Sequence, residues 1–168
     1  QENLDFFLGV DSAYKGSDSI QVTLSCMDEN NHATALDTMD IKPSEWVDGV
    51  THIEVVNKIV AIANKFNVKA IAIDDGGGSH IVQPLKSRII KGELECPVYA
   101  INFGGKPTEI KLLAEEPSAV YAFNKRAELH LMLRGLMEAG RVTFIRKVWD
   151  AISQEMAYVR RANKEEER

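Results

Sequence analysis

The sequence predicts an α/β fold, a mixed sheet built from a three-strand antiparallel meander plus parallel strands, flanked by helices on both faces. Three observations lead there. In the first forty residues, apolar and polar side chains alternate in three runs separated by turn-forming residues, the period of half-buried strands. From Thr51 the spacing becomes helical, with Ile53, Val56, Ile59, Val60, Ala63 and Phe66 on one side. After that, short apolar runs alternate with helical stretches, which calls for right-handed crossovers and hence parallel pairing.

Residues 4–11 form the first strand. Phe6, Phe7, Leu8 and Val10 make a short apolar run that stops on Asp11, and Ser12, Gly16, Ser17 and Asp18 supply a tight turn. Residues 19–28 return, with Ile20, Val22 and Leu24 alternating with Gln21, Thr23 and Ser25. Asp28-Glu29-Asn30-Asn31 leads into a third strand over 33–41, and Pro43-Ser44-Glu45-Trp46 ends the meander. Thr51 is expected to cap the first helix, with Glu54 three residues on, and Asn67 to close it. Residues 68–73, VKAIAI, read as a buried strand ending on Asp74 and Asp75, then Gly76-Gly77-Gly78-Ser79. A helix over 80–91 turns Ile81, Val82, Leu85 and Ile89 inward, and 97–103 is another strand. Residues 106–117 have no clear period and read as a loop. The longest helix is expected over 118–139 with Gly140 at its C-terminal cap. An extended piece at 141–145 and an amphipathic helix from 148 to about 160 complete the chain.

With 168 residues, 45% hydrophobic and 27% charged, residues 1–168 are expected to form one domain around one core. No apolar run approaches the roughly 20 residues of a membrane span, and no secretory signal opens the chain. No membrane partner is expected. Cys26 and Cys96 lie far apart and outside CxxC spacing, so reduced cytosolic thiols are expected. A net charge of −5 does not suit a dedicated nucleic-acid binder. Bases do gather at Lys86, Arg88 and Lys91, at Lys125 and Arg126, and at Arg146 and Lys147. Solvated faces explain most such clusters. An acidic domain still acts on a polyanion where metal ions screen its site.

Asp11 and Asp74 each follow one of the two most apolar strands, and each is followed by small residues. Chemistry in such sheets collects at the carboxyl ends of central strands. If these two strands lie side by side and parallel, the carboxylates approach within several ångströms, and bare they would repel. A divalent cation removes that conflict, and all-oxygen ligation suits Mg²⁺ or Mn²⁺. Two such ions about 3.5–4 Å apart serve phosphodiester hydrolysis. Either acid alone reads better as an ordinary turn residue; only the two together, each after a buried-looking strand and before small residues, bring the functional reading level with that one. Asp18 and Asp75 are weaker candidates, Asp18 as a turn cap and Asp75 as a solvent-facing group or holder of a metal-bound water.

Other chemistries fit poorly. His32, His52, His80 and His130 have no zinc-ligand spacing, and only His80 falls near the proposed site. No GxSxG elbow or P-loop lysine is present. The triple glycine is either a plain turn or a lead-in to a phosphate-facing helix N-terminus.

Four segments resemble the C-terminal nuclease domain of tailed-bacteriophage terminase large subunits, in the RNase H-like superfamily. They are GVDSAYKGSDS at 9–19, AIDDGGGSHIVQPL at 72–85, VYAINFGG at 98–105 and FNKRAELHLMLRGLMEAGRVTF at 123–144. The resemblance spans about residues 6–158. It implies an RNase H-like fold, with Asp11 as first metal ligand, Asp74 as second and Asp18 in support. It implies divalent-metal cleavage of double-stranded DNA concatemers during genome packaging, in the cytoplasm of the infected bacterial host. The implied partners are an N-terminal ATPase motor domain, a portal and a small terminase subunit. The family takes a third acid, or in some members a histidine, from a later segment. This chain shows no Ser-Pro-Asp-like match there, so either the C-terminal part of the family domain is missing or another acid, such as Asp150 or one of Glu165–Glu167, stands in.

The expected function is therefore a Mg²⁺- or Mn²⁺-dependent endodeoxyribonuclease. It would work through Asp11 and Asp74 with Asp75 and Asp18 in support, and through Lys125, Arg126 and Arg88 as phosphate contacts. An isolated domain of this kind is expected to be monomeric. Three rivals stand beside it: a Holliday-junction resolvase of the same superfamily, an actin-like nucleotide-binding fragment, and a non-catalytic docking module.

Overall fold

The computed structural model describes residues 3–11, 20–41, 50–74, 79–106 and 124–166. These form β1 (Asp5–Asp11), β2 (Ile20–Met27), β3 (Ala33–Ile41), α1 (Val50–Phe66), β4 (Ala70–Asp74), α2 (Ser79–Ile90), β5 (Val98–Ile101), α3 (Lys125–Glu138), β6 (Val142–Phe144) and α4 (Arg146–Glu166). The sheet has the order β5-β4-β1-β2-β3-β6. β1, β2 and β3 pair antiparallel, as the alternation of their sequence implies. β4 and β5 add parallel on one side, and β6 adds parallel to the other edge along Ala33 to Ala35. A mixed six-stranded sheet flanked by helices is the RNase H-like architecture.

Burial follows the strand period. β2 alternates buried and half-buried at every residue, and Leu8, Val10, Val22, Leu24, Ile71, Ile73 and Val98 share one covered face. Against it pack Val55, Val56, Ile59 and Ala63 of α1, and Ile81, Val82 and Leu85 of α2. Both cysteines are buried and free, and their own burial pushes both thiols above the ordinary range.

Helix ends obey local chemistry. Asn67 (φ 49°), Gly92 (φ 70°) and Gly140 (φ 66°) take the left-handed conformation just past α1, α2 and α3. In each case the next residue donates back across the turn: Val68 N–H to Ala63 O, Glu93 N–H to Arg88 O and Arg141 N–H to Leu136 O. That is the Schellman closure, for which glycine or asparagine is suited.

Two expectations need correcting. The helix expected over 118–139 starts at Lys125, because Asn124 has extended backbone and its side chain accepts from Ala127 N–H. Asparagine offers a capping oxygen and so terminates a helix on its N-terminal side. Thr51 lies inside α1 rather than capping it, since α1 already includes Val50. The turn at 12–19, the stop at 43–46, the triple glycine and the stretch 107–117 lie outside the described residues.

Candidate functional site

β1 and β4 are adjacent and parallel, in a register that pairs Leu8 with Ile71, Gly9 with Ala72 and Val10 with Ile73. One step further along both strands stand Asp11 and Asp74. Because side chains alternate between faces, burial of Val10 and Ile73 under α1 and α2 sends both acids to the opposite face. Asp11 is exposed and Asp74 half-buried. Neighbouring strands run about 4.8 Å apart, so two carboxylates at one level of one face can converge on a single cation.

The donor set suits a hard divalent ion. Mg²⁺ binds through one or two carboxylates and keeps several waters, which a solvent-accessible edge permits. Among the described residues no group of three or more His, Cys, Asp or Glu side chains gathers around a common point. The described residues thus supply the pair and no third ligand. Asp18 and Asp75 fall outside them.

The floor behind the acids is low. A Cβ added at Gly9 would meet nothing within 4 Å, and Ala72 is exposed. Beside Ala72 in the register is Tyr99 of β5, 56% exposed although aromatic. Sequence reading passed over Tyr99, because a tyrosine in a short strand looks like core. It also passed over Asp40, which lies on the same level as Asp11 through their common partner Gln21. Two strand spacings, roughly 10 Å, put Asp40 out of reach of a ligand shared with Asp11.

Lys125 and Arg126 come to the neighbourhood of this edge because α3 starts against the turn after β5. Lys125 N–H donates to Gly105 O (2.9 Å) and Arg126 N–H to Phe103 O (3.1 Å). The Arg126 guanidinium lies 5.3 Å from the centre of the Phe103 ring, within cation–π range. Lys125 Nζ pairs with Glu128 at 2.9 Å. Glu128, which lies inside the 123–144 segment, is only 1% exposed, a buried carboxylate.

Arg88 is not brought to the acids. α2 begins just after β4 and runs away from that edge, so Arg88 in its last turn lies toward the opposite end. There it ion-pairs with Glu93 and donates to Asn57 Oδ1 (2.5 Å), tying α2 to α1. The Arg88 hydrogen bond holds the Glu93 carboxyl below its ordinary range. A 260 Å³ cavity lined by Asn64, Asn67, Glu93 and Cys96 sits at this same far end, remote from Asp11 and Asp74.

No protein-family model matches the chain, and no curated protein matches it by sequence. Solved structures match it in fold. The nuclease domain of the large terminase subunit of bacterial virus Sf6, solved with manganese and β-thujaplicinol, superposes with a TM-score of 0.56 at 11% identity. It is covered over 64% of its length by 86% of this chain. The large terminase nuclease of thermophilic phage G20c gives 0.50 at 15% identity, over 84% of this chain and 59% of that one. Thermus thermophilus RuvC gives 0.50 at 14% identity, over 79% of this chain and 80% of that one. The chain therefore spans less than two thirds of the terminase domains it resembles. The RNase H-like fold anticipated from the four segments is the fold of these neighbours.

Proposed function

We propose that the chain is a divalent-metal-dependent endonuclease that cleaves double-stranded DNA, in the packaging role implied by its terminase-like segments. The observation that carries this is the placement of Asp11 and Asp74 at one level and on one face of two parallel neighbours. Asp11 and Asp74, with Asp75 and Asp18 in support, would hold Mg²⁺ or Mn²⁺, as a pair of ions. Bound there, the metal supplies polarisation of the phosphate and a water acidic enough to be deprotonated near neutrality. In the hydrolysis, a water oxygen bonds to phosphorus as the bond to the departing sugar oxygen breaks, and that oxygen takes up a proton.

The chain's own residues have separate tasks. The acids fix where the charge sits, and the open surface over Gly9 and Ala72 leaves room for a strand to approach. Lys125 and Arg126 would contact phosphates from the β5 side. A motor domain in the same protein, a portal and a small terminase subunit remain the proposed partners. The infected bacterial cytoplasm is the proposed setting.

A second reading is a junction resolvase. What favours it is the shared fold, which Thermus thermophilus RuvC matches with a TM-score of 0.50 over 79% of this chain. The test is cleavage in Mn²⁺ of a linear duplex, a supercoiled plasmid and a four-way junction of matched sequence. Comparable cutting of plasmid and junction is expected. A strong preference for the junction would move the assignment to a resolvase. No cutting, combined with no metal binding, would leave a docking module.

A further inference from the structure

Three strands share one level just short of the acids. Gly9 of β1 pairs with Ala72 of β4, and Ala72 pairs with Tyr99 of β5. Val98 is buried in the core and Tyr99 is 56% exposed. Alternation therefore sends Tyr99 to the face turned from α1 and α2, the face of Asp11 and Asp74. Two residues further along, Asp74 pairs with Ile101. One strand spacing of about 4.8 Å and two steps of about 3.3 Å put the Tyr99 Cα roughly 8 Å from that of Asp74. The rest of the level is low: a Cβ added at Gly9 would meet nothing within 4 Å, and exposed Ala72 carries a single methyl. Tyr99 thus stands as a post at the end of a shallow floor that leads to the acids. The core does not use it, since Val98 closes the other face of β5.

We infer that the Tyr99 hydroxyl donates a hydrogen bond to a DNA backbone phosphate, one or two nucleotides from the phosphate at the carboxylate pair. The inference rests on the nuclease reading and adds a substrate-positioning contact to it. Successive phosphates of one strand are set about 3.4 Å apart along the duplex axis, so a near neighbour of the phosphate at Asp74 falls within the roughly 8 Å above. Tyrosine hydroxyls are among the donors that fix a protein's register on a duplex through its phosphates. Being uncharged, the phenol competes less with a metal ion for the Asp74 carboxylate than a lysine at this place would. Lys125 and Arg126 follow on the same side, where α3 starts against the turn after β5. The three donors therefore lie along β5 and its continuation.

The experiment compares the parent with Tyr99→Phe, which keeps the ring and deletes only the hydroxyl. Duplex affinity is read by fluorescence anisotropy of a labelled duplex at low salt in Ca²⁺, an ion that takes the same oxygen ligands in looser geometry. KM and kcat are read from cleavage in Mn²⁺. Tyr99→Phe is expected to bind the duplex roughly tenfold more weakly, the scale of a lost hydrogen bond to a charged group. Its KM should rise by a similar factor, with kcat, Mn²⁺ affinity and melting temperature unchanged. Parental duplex affinity and KM in Tyr99→Phe overturn the inference, as does a parent that binds no duplex. Asp11→Asn, assayed for cleavage alongside, separates the two ideas. Its loss of cutting, with parental affinity and KM in Tyr99→Phe, leaves the nuclease standing without this contact. Its full cutting removes the nuclease site, while weakened binding by Tyr99→Phe would still support a phosphate contact at Tyr99.

Discussion

Asp11 and Asp74 stand one residue past the Val10–Ile73 pair at the ends of two adjacent parallel strands, on the face turned from the core. The relationship is produced by packing rather than by the acids. Val10 and Ile73 are buried, and a one-residue slip of either strand would turn its whole apolar set to the other face. The hydrophobic register therefore holds two like charges together that would otherwise separate.

Gly9 is the residue behind Asp11 on that face. Replacing it with valine should be tolerated, because the added Cβ meets nothing within 4 Å, and a strand interior gains about 0.5–1 kcal/mol on losing a glycine. If a nucleic-acid strand lies over this surface, Gly9→Val should keep or raise the unfolding midpoint while cleavage falls. Full cleavage by a well-folded Gly9→Val protein would place the substrate elsewhere.

Glu128 and Lys125 give an asymmetric prediction. The Glu128 side chain is 2% exposed and that of Lys125 23%. Lys125→Met would leave a carboxylate buried without this ion pair, whereas Glu128→Gln leaves a lysine that reaches water. Breaking a buried pair costs about 3–5 kcal/mol, and Lys125→Met should approach that range while Glu128→Gln costs less. Urea unfolding measures both, and the reverse order would contradict the structural role given to Glu128.

Arg88 is expected to matter for folding and not for cutting. Its hydrogen bond depresses the folded-state pKa of Glu93 below the ordinary 4.5. A depressed carboxyl contributes stability above its unfolded pKa and loses it as pH falls through the folded value. Arg88→Ala should therefore melt lower than the parent at pH 7, with the gap closing as pH drops below about 4.5. Cleavage at pH 7 and low temperature should not change. A gap that persists to pH 3 would show that Arg88 acts through Asn57 or packing instead.

The sequence disclosed most of the fold because each element announces its own period: two for the meander, near 3.6 for α1 and α2, and a left-handed asparagine or glycine at helix ends. It also pointed to the two strands whose ends carry Asp11 and Asp74 as parallel neighbours, since each acid ends an apolar run. What it could not disclose depends on contacts between distant segments. The burial of Glu128, the exposure of Tyr99 and the stacking of His52 on His80 arise only when helices meet strands. Arg88 illustrates the reverse: in the sequence it is one base among several, and only the packing of α2 on α1 turns it toward Glu93 and Asn57. The start of α3 was misread because the apolar spacing runs on past Asn124, while the capping oxygen of that side chain sets the boundary.

The most direct measurement is a calorimetric titration of Mn²⁺ into the parent protein, Asp11→Asn and Asp74→Asn. If the two carboxylates share a cation, each single substitution should weaken binding at least about tenfold, equivalent to the roughly 1.4 kcal/mol of a tenfold change, with melting temperature preserved. Parental Mn²⁺ affinity in either folded variant would mean that the two acids do not share an ion.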